Sequence, residues 1–332
     1  MNAQNQARLT RYFNTGQMTR ADLIRSLIAP SLPFRINARE AKRLHSLKPA
    51  GKGTIPTEIR VPVYQGSHPA VLQMMSVLKD TLSGDLAGAY LHGSLSTGDS
   101  VGYSDFDGLV IIKDEVFESP ERTARVALEI SRSFSVMVHF DPLQHHGWFI
   151  LTEKDLSNFP TAYFPPVLFS YASSLLNHGT DLTIKVAEQH SGYTNQLKRV
   201  AHSVISKLDR GKGLKNMFVL KALLSEFMLM PSLFIESKTG EGVYKKYSFE
   251  LARPHFSAAD YSIMDEVSEI RQNWHYNATW TISPPPVIMT PWLRKQQAAR
   301  SGPVPVEILQ KMNPAFLDRM RNLASLFMQK SS

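Results

Sequence analysis

Hydrophobic and polar positions in the first half of the chain alternate in blocks that predict a mixed α+β architecture. Apolar residues recur at helical spacing in four segments, at residues 21–29, 37–47, 69–84 and 119–134. Four shorter apolar segments are typical of β-strands, at residues 86–93, 105–114, 135–142 and 146–152. Strands and helices in this order favour an α+β sheet with helices packed on one side.

The second half of the chain has a different pattern. Segments with helical apolar spacing follow one another at residues 192–211, 214–237, 257–274 and 305–329. A proline-rich stretch at 282–292 is predicted to be extended, because proline cannot donate a backbone hydrogen bond. We therefore expect an N-terminal helical extension over residues 1–67, an α+β domain over 68–190 and a helical domain over 191–332.

The composition narrows the classes of function. The 332-residue chain is 43% apolar and contains no cysteine, which excludes disulfides and thiolate metal sites. The polar N-terminus lacks the pattern of a secretory signal, and no apolar run approaches the roughly 20 residues of a membrane span, so we expect a cytoplasmic protein. The formal net charge of +8 favours a polyanionic ligand, either nucleic acid or nucleotide phosphates. The sequence contains no P-loop, dinucleotide-binding or zinc-protease motif.

The most informative stretch joins the first two predicted strands of the α+β domain. Gly93 and Ser94 end the first strand, and glycine allows a sharp turn in which backbone amides and the serine hydroxyl face an anion. Asp105 and Asp107 begin the next strand, where alternate side chains share a face, so both carboxylates belong to one cluster while Phe106 enters the opposite face. A divalent cation would relieve their repulsion and bridge to phosphate oxygens. The spacing predicts a Mg²⁺ or Mn²⁺ site beside a phosphate-binding turn.

This arrangement resembles the signature of the polymerase-beta-type nucleotidyltransferase superfamily: a Gly-Ser pair, a ten-residue spacer, and Asp-Phe-Asp followed by an apolar run. The resemblance covers about residues 68–155 and implies a mixed sheet flanked by helices. It also implies an enzyme that transfers a nucleoside monophosphate from a nucleoside triphosphate (NTP) to a hydroxyl group and releases pyrophosphate. Gly93 and Ser94 would then hold the triphosphate, and Asp105 and Asp107 would bind two metal ions.

The same resemblance suggests further site residues. The family usually adds a third carboxylate from a neighbouring strand, and its best match is Asp141, as a metal ligand and proton acceptor; a capping or turn aspartate is the alternative. The helical half is similar to that of antibiotic nucleotidyltransferases, in which a lysine follows a proline-broken helix. This implies that Lys245 or Lys246 neutralises triphosphate charge, unless the pair is only solvated.

Several other residues have both a functional and an ordinary interpretation. His145 and His146 could contact phosphate, ligate a metal or move a proton, or could be turn residues near the site. Lys215 and Lys221 could reach the nucleotide from the second domain. One aromatic group could stack a base or form a hydrophobic corner: Trp274, Tyr276 and Trp280.

The Gly-Ser and Asp-Phe-Asp motif does not specify the acceptor of the expected reaction. We favour a small-molecule or protein hydroxyl, because the sequence has no recognisable RNA-binding module and no basic stripe interleaved with aromatic residues. An RNA 3′ end and a second nucleotide, as in a cyclic-dinucleotide synthase, are alternatives. A non-catalytic nucleotide-binding or interaction protein of a toxin–antitoxin type system is an alternative from another class.

Overall fold

A computed structural model describes residues 3–15, 18–28, 55–144, 146–161, 163–186, 192–209, 211, 214–276 and 301–331. The α-helices in this part of the chain are α1 (Ala3–Thr15), α2 (Arg20–Ile28), α3 (Pro69–Thr81), α4 (Ser94–Thr97), α5 (Pro120–Phe140), α6 (Glu153–Leu156), α7 (Gly192–Asp209), α8 (Met217–Thr239), α9 (Lys245–Ala252), α10 (Ala258–Gln272), α11 (Val306–Lys311) and α12 (Pro314–Lys330). The strands are β1 (Ile55–Arg60), β2 (Leu86–His92), β3 (Asp107–Ile112), β4 (Phe149–Thr152), β5 (Ser173–Ser174) and β6 (Asp181–Val186), and short 3₁₀ helices cover Asp114–Glu118, Pro166–Tyr171 and Arg253–His255. The predicted helix at 37–47, the proline-rich stretch at 282–292, His145 and Trp280 lie outside the described residues.

The centre of the first half is a four-stranded sheet of mixed direction, with the strand order β4-β3-β2-β5. Strand β2 is antiparallel to β3 and to β5, whereas β3 is parallel to β4. Strands β1 and β6 form a separate antiparallel pair. In the β2–β3 register His92 is opposite Asp107, so the end of the first strand and the first residue of the second are neighbours. The architecture is therefore mixed α+β, as the sequence pattern predicts.

Strand β3 has two apolar faces, and this explains its continuous apolar run. Val110 and Ile112 pack into a core that also contains residues of α3 and α5, while Leu109 and Ile111 pack into a second core on the other face. Phe106, just before the strand, joins the first of these cores. A strand that is buried on both faces needs apolar residues at successive positions rather than at alternate ones.

Helix α5 corrects one prediction from the sequence. Residues 135–142 alternate like a strand, but the helix that begins at the Ser119 cap continues to Phe140. Its last turns keep the helical period, because Phe134, Met137 and Val138 are all buried on the sheet side. Asp141 consequently lies at the C-terminal cap of a helix and not at the end of a strand.

The second half of the chain is helical around the buried helix α8. The Asn216 side chain caps its N-terminus by accepting a hydrogen bond from Val219 N, and Gly240 ends it in the left-handed conformation. The helix runs through Pro231 from Met217 to Thr239, so the expected proline-broken helix is one continuous helix. By length and composition α8 is the one described helix that could cross a membrane, yet in the structure it is mostly buried among its neighbours.

The two halves of the chain are in direct contact. Tyr103 and Leu143, which flank the β3 strand and the α5 helix in the first half, are buried within the core of the second half. The Tyr103 hydroxyl donates to the backbone oxygen of Lys221 at 2.6 Å, on helix α8. The proposed boundary between residues 190 and 191 falls in a stretch outside the described residues.

Candidate active site

The turn after β2 brings the Gly-Ser pair next to the acidic strand. Gly93 has φ +72°, and a Cβ atom built on it would lie 2.6 Å from Asp107 Oδ2. Only glycine tolerates both this backbone conformation and this approach, since any other residue would collide with the carboxylate. Ser94 is the first residue of the short helix α4, and its hydroxyl donates a hydrogen bond to Ser104 Oγ at 2.8 Å. The loop between the turn and the acidic pair therefore folds back on the turn.

The two carboxylates that the sequence places on one face converge on one histidine. His146 Nε2 lies 3.1 Å from Asp107 Oδ1 and 3.6 Å from Asp105 Oδ2. Burial alone would lower the pKa of His146, but hydrogen bonds and charge interactions with both aspartates raise that pKa to about 10. Burial likewise would raise the pKa of Asp107, but His146 outweighs this effect and lowers it. His146, Asp105 and Asp107 therefore form one ion-paired group.

Gln144, which the sequence analysis does not single out, holds the backbone around this group. Its fully buried side chain accepts a hydrogen bond from Phe106 N at 2.9 Å and donates to Phe106 O at 3.2 Å. The same amide donates to His146 O at 2.9 Å. Gln144 thus fixes the backbone of Phe106, which lies between the two aspartates, relative to the backbone of His146.

A lysine from the second half of the chain completes the cluster. Lys221 Nζ, on α8, lies 2.6 Å from Asp105 Oδ1 and 2.7 Å from Asp141 Oδ2. Burial raises the pKa of Asp141, as does the neighbouring Asp105, while Lys221 opposes both effects. The other carboxylate oxygen of Asp141 accepts a hydrogen bond from Leu143 N at 3.0 Å. Asp141 is therefore close to Asp105, and the ammonium group of Lys221 contacts both acids.

The two lysines proposed for triphosphate have different surroundings. Lys245 is half-buried at the start of α9, and desolvation together with the charge of Arg271 lowers its pKa to about 8, against the opposite effect of Asp107 and Asp105. Lys246 is exposed and forms a 2.6 Å ion pair with Asp99. The charges of Asp105 and Asp107 therefore act on Lys245, whereas Lys246 pairs with an acid outside the cluster.

The candidates Lys215 and Trp274 have different surroundings, and His92 lies at the end of β2. Lys215 is exposed just before α8, and no contact of its side chain with the acidic cluster is found among the described residues. Trp274 is buried with its ring 5.1 Å from that of Tyr103, so it forms the hydrophobic corner rather than an open stacking surface. His92 is buried opposite Asp107, and burial lowers its pKa.

The carboxylates of the cluster are suited to a Mg²⁺ ion that is also bound by the phosphates of a substrate. Within the described ranges no group of three or more His, Cys, Asp or Glu side chains is arranged to hold a metal ion. Asp105 and Asp107 are nevertheless the carboxylates that Mg²⁺ prefers, and the missing Cβ of Gly93 leaves space at Asp107 Oδ2. Protein Mg²⁺ sites commonly use one or two carboxylates together with substrate phosphates rather than a complete protein cage. The residues fit such a shared site.

Comparison with known proteins gives little beyond this geometry. The sequence matches no protein-family profile and no curated protein. Two chains among the solved structures match. One is the crystal structure of spectinomycin adenyltransferase AAD(9) from Enterococcus faecialis with ATP and spectinomycin, at 10% identity and a TM-score of 0.35, covering 71% of this chain and 99% of that chain. That protein is a nucleotidyltransferase, but so weak a similarity does not assign this chain to a family.

Proposed function

We propose that the protein is a metal-dependent nucleotidyltransferase, which moves a nucleoside monophosphate from an NTP to a hydroxyl group of a small-molecule or protein acceptor. One observation carries the proposal: the Gly93 turn lies directly against the Asp107 carboxylate, with Asp105 beside it. A glycine turn can bind the phosphates of an NTP, and a pair of carboxylates can bind its metal ion. In this protein the turn and the carboxylates are neighbours.

Each neighbouring group has a role that follows from its charge. The Gly93–Ser94 turn binds the triphosphate, and Asp105 and Asp107 would hold the Mg²⁺ or Mn²⁺ ion that accompanies it. When bound, that ion offsets phosphate charge and makes the acceptor hydroxyl more acidic. Lys245 and the protonated His146 supply positive charge to the triphosphate.

The reaction follows from these positions. The acceptor oxygen forms a bond to the α-phosphorus of the NTP, the bond from that phosphorus to the pyrophosphate oxygen breaks, and the hydroxyl proton leaves to a base or to water. The protein contributes chiefly position and charge, because the phosphoryl group itself supplies the reactive bonds.

The test is a transfer assay with labelled nucleotide. Purified protein is incubated with each NTP labelled at the α-phosphate, with Mg²⁺ or Mn²⁺, and separately with the small-molecule, protein and RNA fractions of a cell extract. We expect label in the small-molecule or protein fraction and an equal amount of pyrophosphate. Label in RNA would contradict the proposed acceptor. Nucleotide binding without pyrophosphate from any fraction would contradict the enzyme and favour a binding protein.

A further inference from the structure

Lys221 is an unusual residue for its position on α8. Its side chain is fully buried, and its neighbours along the apolar faces of the helix belong to the core of the second half of the chain. A buried ammonium group is strongly unfavourable unless other groups compensate its charge. The sequence therefore places a charge where an apolar residue would be the ordinary choice.

The structure shows what compensates this charge. Lys221 Nζ contacts one oxygen of Asp105 at 2.6 Å and one of Asp141 at 2.7 Å, and it lies 5.1 Å from the centre of the Tyr103 ring. Lys221 Nζ donates a hydrogen bond to Asp141 Oδ2, forms an ion pair with Asp105 Oδ1 and makes a cation–π contact with the Tyr103 ring. The ammonium thus bridges two acids, as a metal ion would.

The consequence for Asp141 is specific. One of its oxygens is bound to Lys221 and the other to Leu143 N, so both are already used within the protein. Asp105 keeps Oδ2 on the side of His146 and Asp107, away from the ammonium. His146 also contacts Asp105 and Asp107, but its side chain is 31% exposed and can give way to a divalent ion, whereas Lys221 is fully buried between Asp105 and Asp141. The cluster therefore offers a divalent ion one position, at Asp105 and Asp107, and fills the second position with a cation that cannot move into solvent.

We propose that Lys221 replaces the second metal ion of this site, so that the protein binds one divalent ion per nucleotide. This inference rests on the proposed function, because it concerns the same NTP site. Asp141 is then a positioning residue that holds Lys221, and not a metal ligand. The sequence-based expectation of two metal ions at three carboxylates becomes one ion and one ammonium.

The experiment counts bound metal ions instead of measuring activity. Mn²⁺ is titrated into the full-length protein with the α,β-methylene analogue of ATP, GTP, CTP or UTP, with protein in excess over nucleotide, and free Mn²⁺ is measured by electron paramagnetic resonance. We expect one Mn²⁺ per protein–nucleotide complex. Two ions in the wild-type complex would overturn the inference and leave the proposed function standing. Failure of every analogue to bind would overturn the proposed function, and the inference with it.

Substitutions of Lys221 test whether its ammonium group determines the number of bound Mn²⁺ ions. Lys221→Met removes the ammonium at similar length, and we expect a second Mn²⁺ to bind at least about tenfold more tightly than to the wild type. Lys221→Arg keeps the charge and should still give one ion. Lys215→Met removes one positive charge from the exposed start of the same region and should leave the count unchanged. An unchanged count in a folded Lys221→Met protein contradicts the inference.

Asp141→Asn gives a second route if Lys221→Met does not fold. If Asp141 only positions Lys221, this variant still binds at least one Mn²⁺ with nearly unchanged affinity for the first ion. If Asp141 is a metal ligand, the variant loses one of two ions or binds the first ion at least about tenfold more weakly, and the inference is wrong.

Discussion

Gly93 and Asp107 are in direct contact, and a Cβ atom at residue 93 would lie 2.6 Å from the Asp107 carboxylate oxygen. Gly93→Ala is therefore expected to move Asp107 as well as to strain a backbone with φ +72°. Strain of this kind costs roughly 1–3 kcal/mol. We expect a lower melting temperature and a loss of transfer activity that exceeds what the lower stability explains. Thermal unfolding and the transfer assay measure the two effects.

Gly98→Ala is the matched control for this substitution. Gly98 also has a positive φ, of +75°, but a Cβ atom there meets nothing within 4 Å. It should lower stability through backbone strain and leave the activity of the folded protein close to that of the wild type. Equal losses of activity in the two alanine variants would show that contact with Asp107 is not the cause.

Asp107→Asn is expected to reduce the rate of nucleotide transfer by at least about 100-fold. The substitution removes a negative charge that binds the metal ion on the phosphates of the NTP. The measurement is pyrophosphate release at saturating NTP. Asp99→Asn is the control, since Asp99 is a partly exposed acid that pairs with Lys246 outside the cluster. A similar loss in both variants would point to a general charge effect and not to the acidic pair.

Lys245 and Lys246 are adjacent in sequence, and substitution separates their roles. Lys245→Met should raise the KM for NTP about tenfold or more, because a half-buried ammonium near the phosphates contributes a strong charge-assisted contact. Lys246→Met removes an exposed ion pair with Asp99, which is worth little, and should change KM less than about threefold. Steady-state kinetics with varied NTP gives both values, and the reverse order would assign the triphosphate to Lys246.

The ligand-free stability of the protein should depend on pH through His146. Its pKa is raised from 6.5 to about 10 by Asp105 and Asp107, so the folded state holds a proton that the unfolded state loses between these values. The stabilisation is complete below pH 6.5 and is lost as the pH rises towards 10.

The variant His146→Gln tests this dependence. The difference in melting temperature between the wild type and His146→Gln should be largest near pH 6 and should disappear towards about pH 10. Measurements without nucleotide or metal ions leave the two carboxylates with their partners inside the protein, His146 and Lys221. A difference that stays constant across this range would mean that the charge of His146 does not contribute to stability.

The sequence predicts the local geometry of the acidic strand well. Strand β3 begins at Asp107, two residues later than the pattern predicts, yet Phe106 enters the core and Asp105 and Asp107 both contact His146. The same kind of evidence failed at residues 135–140, where alternation and helical spacing coexist and packing of Met137 and Val138 against the sheet favours the helix.

Contacts between distant segments were beyond the sequence pattern. Lys221 and Asp141 are 80 residues apart, and Gln144 and Phe106 are 38 apart. Nothing in the local spacing of these residues indicates a partner, because each contact depends on how the two halves of the chain pack. Lys221 is an isolated lysine on an apolar helix face, and Gln144 is a glutamine that follows a helix. Their roles can be recognised only when their partners, Asp141 and Phe106, are known.

The length of α5 has a consequence for the acid that follows it. Because the helix ends at Phe140, Asp141 stands where unpaired backbone carbonyls concentrate partial negative charge, and a carboxylate is disfavoured there. Burial raises the pKa of this aspartate to about 7, the charge of Asp105 acts in the same direction, and Lys221 on helix α8 opposes the rise. The packing of α8 against the first half of the chain is thereby tied to the ionisation of one side chain, because the burial that favours the neutral acid and the ammonium group that favours the carboxylate both act on Asp141.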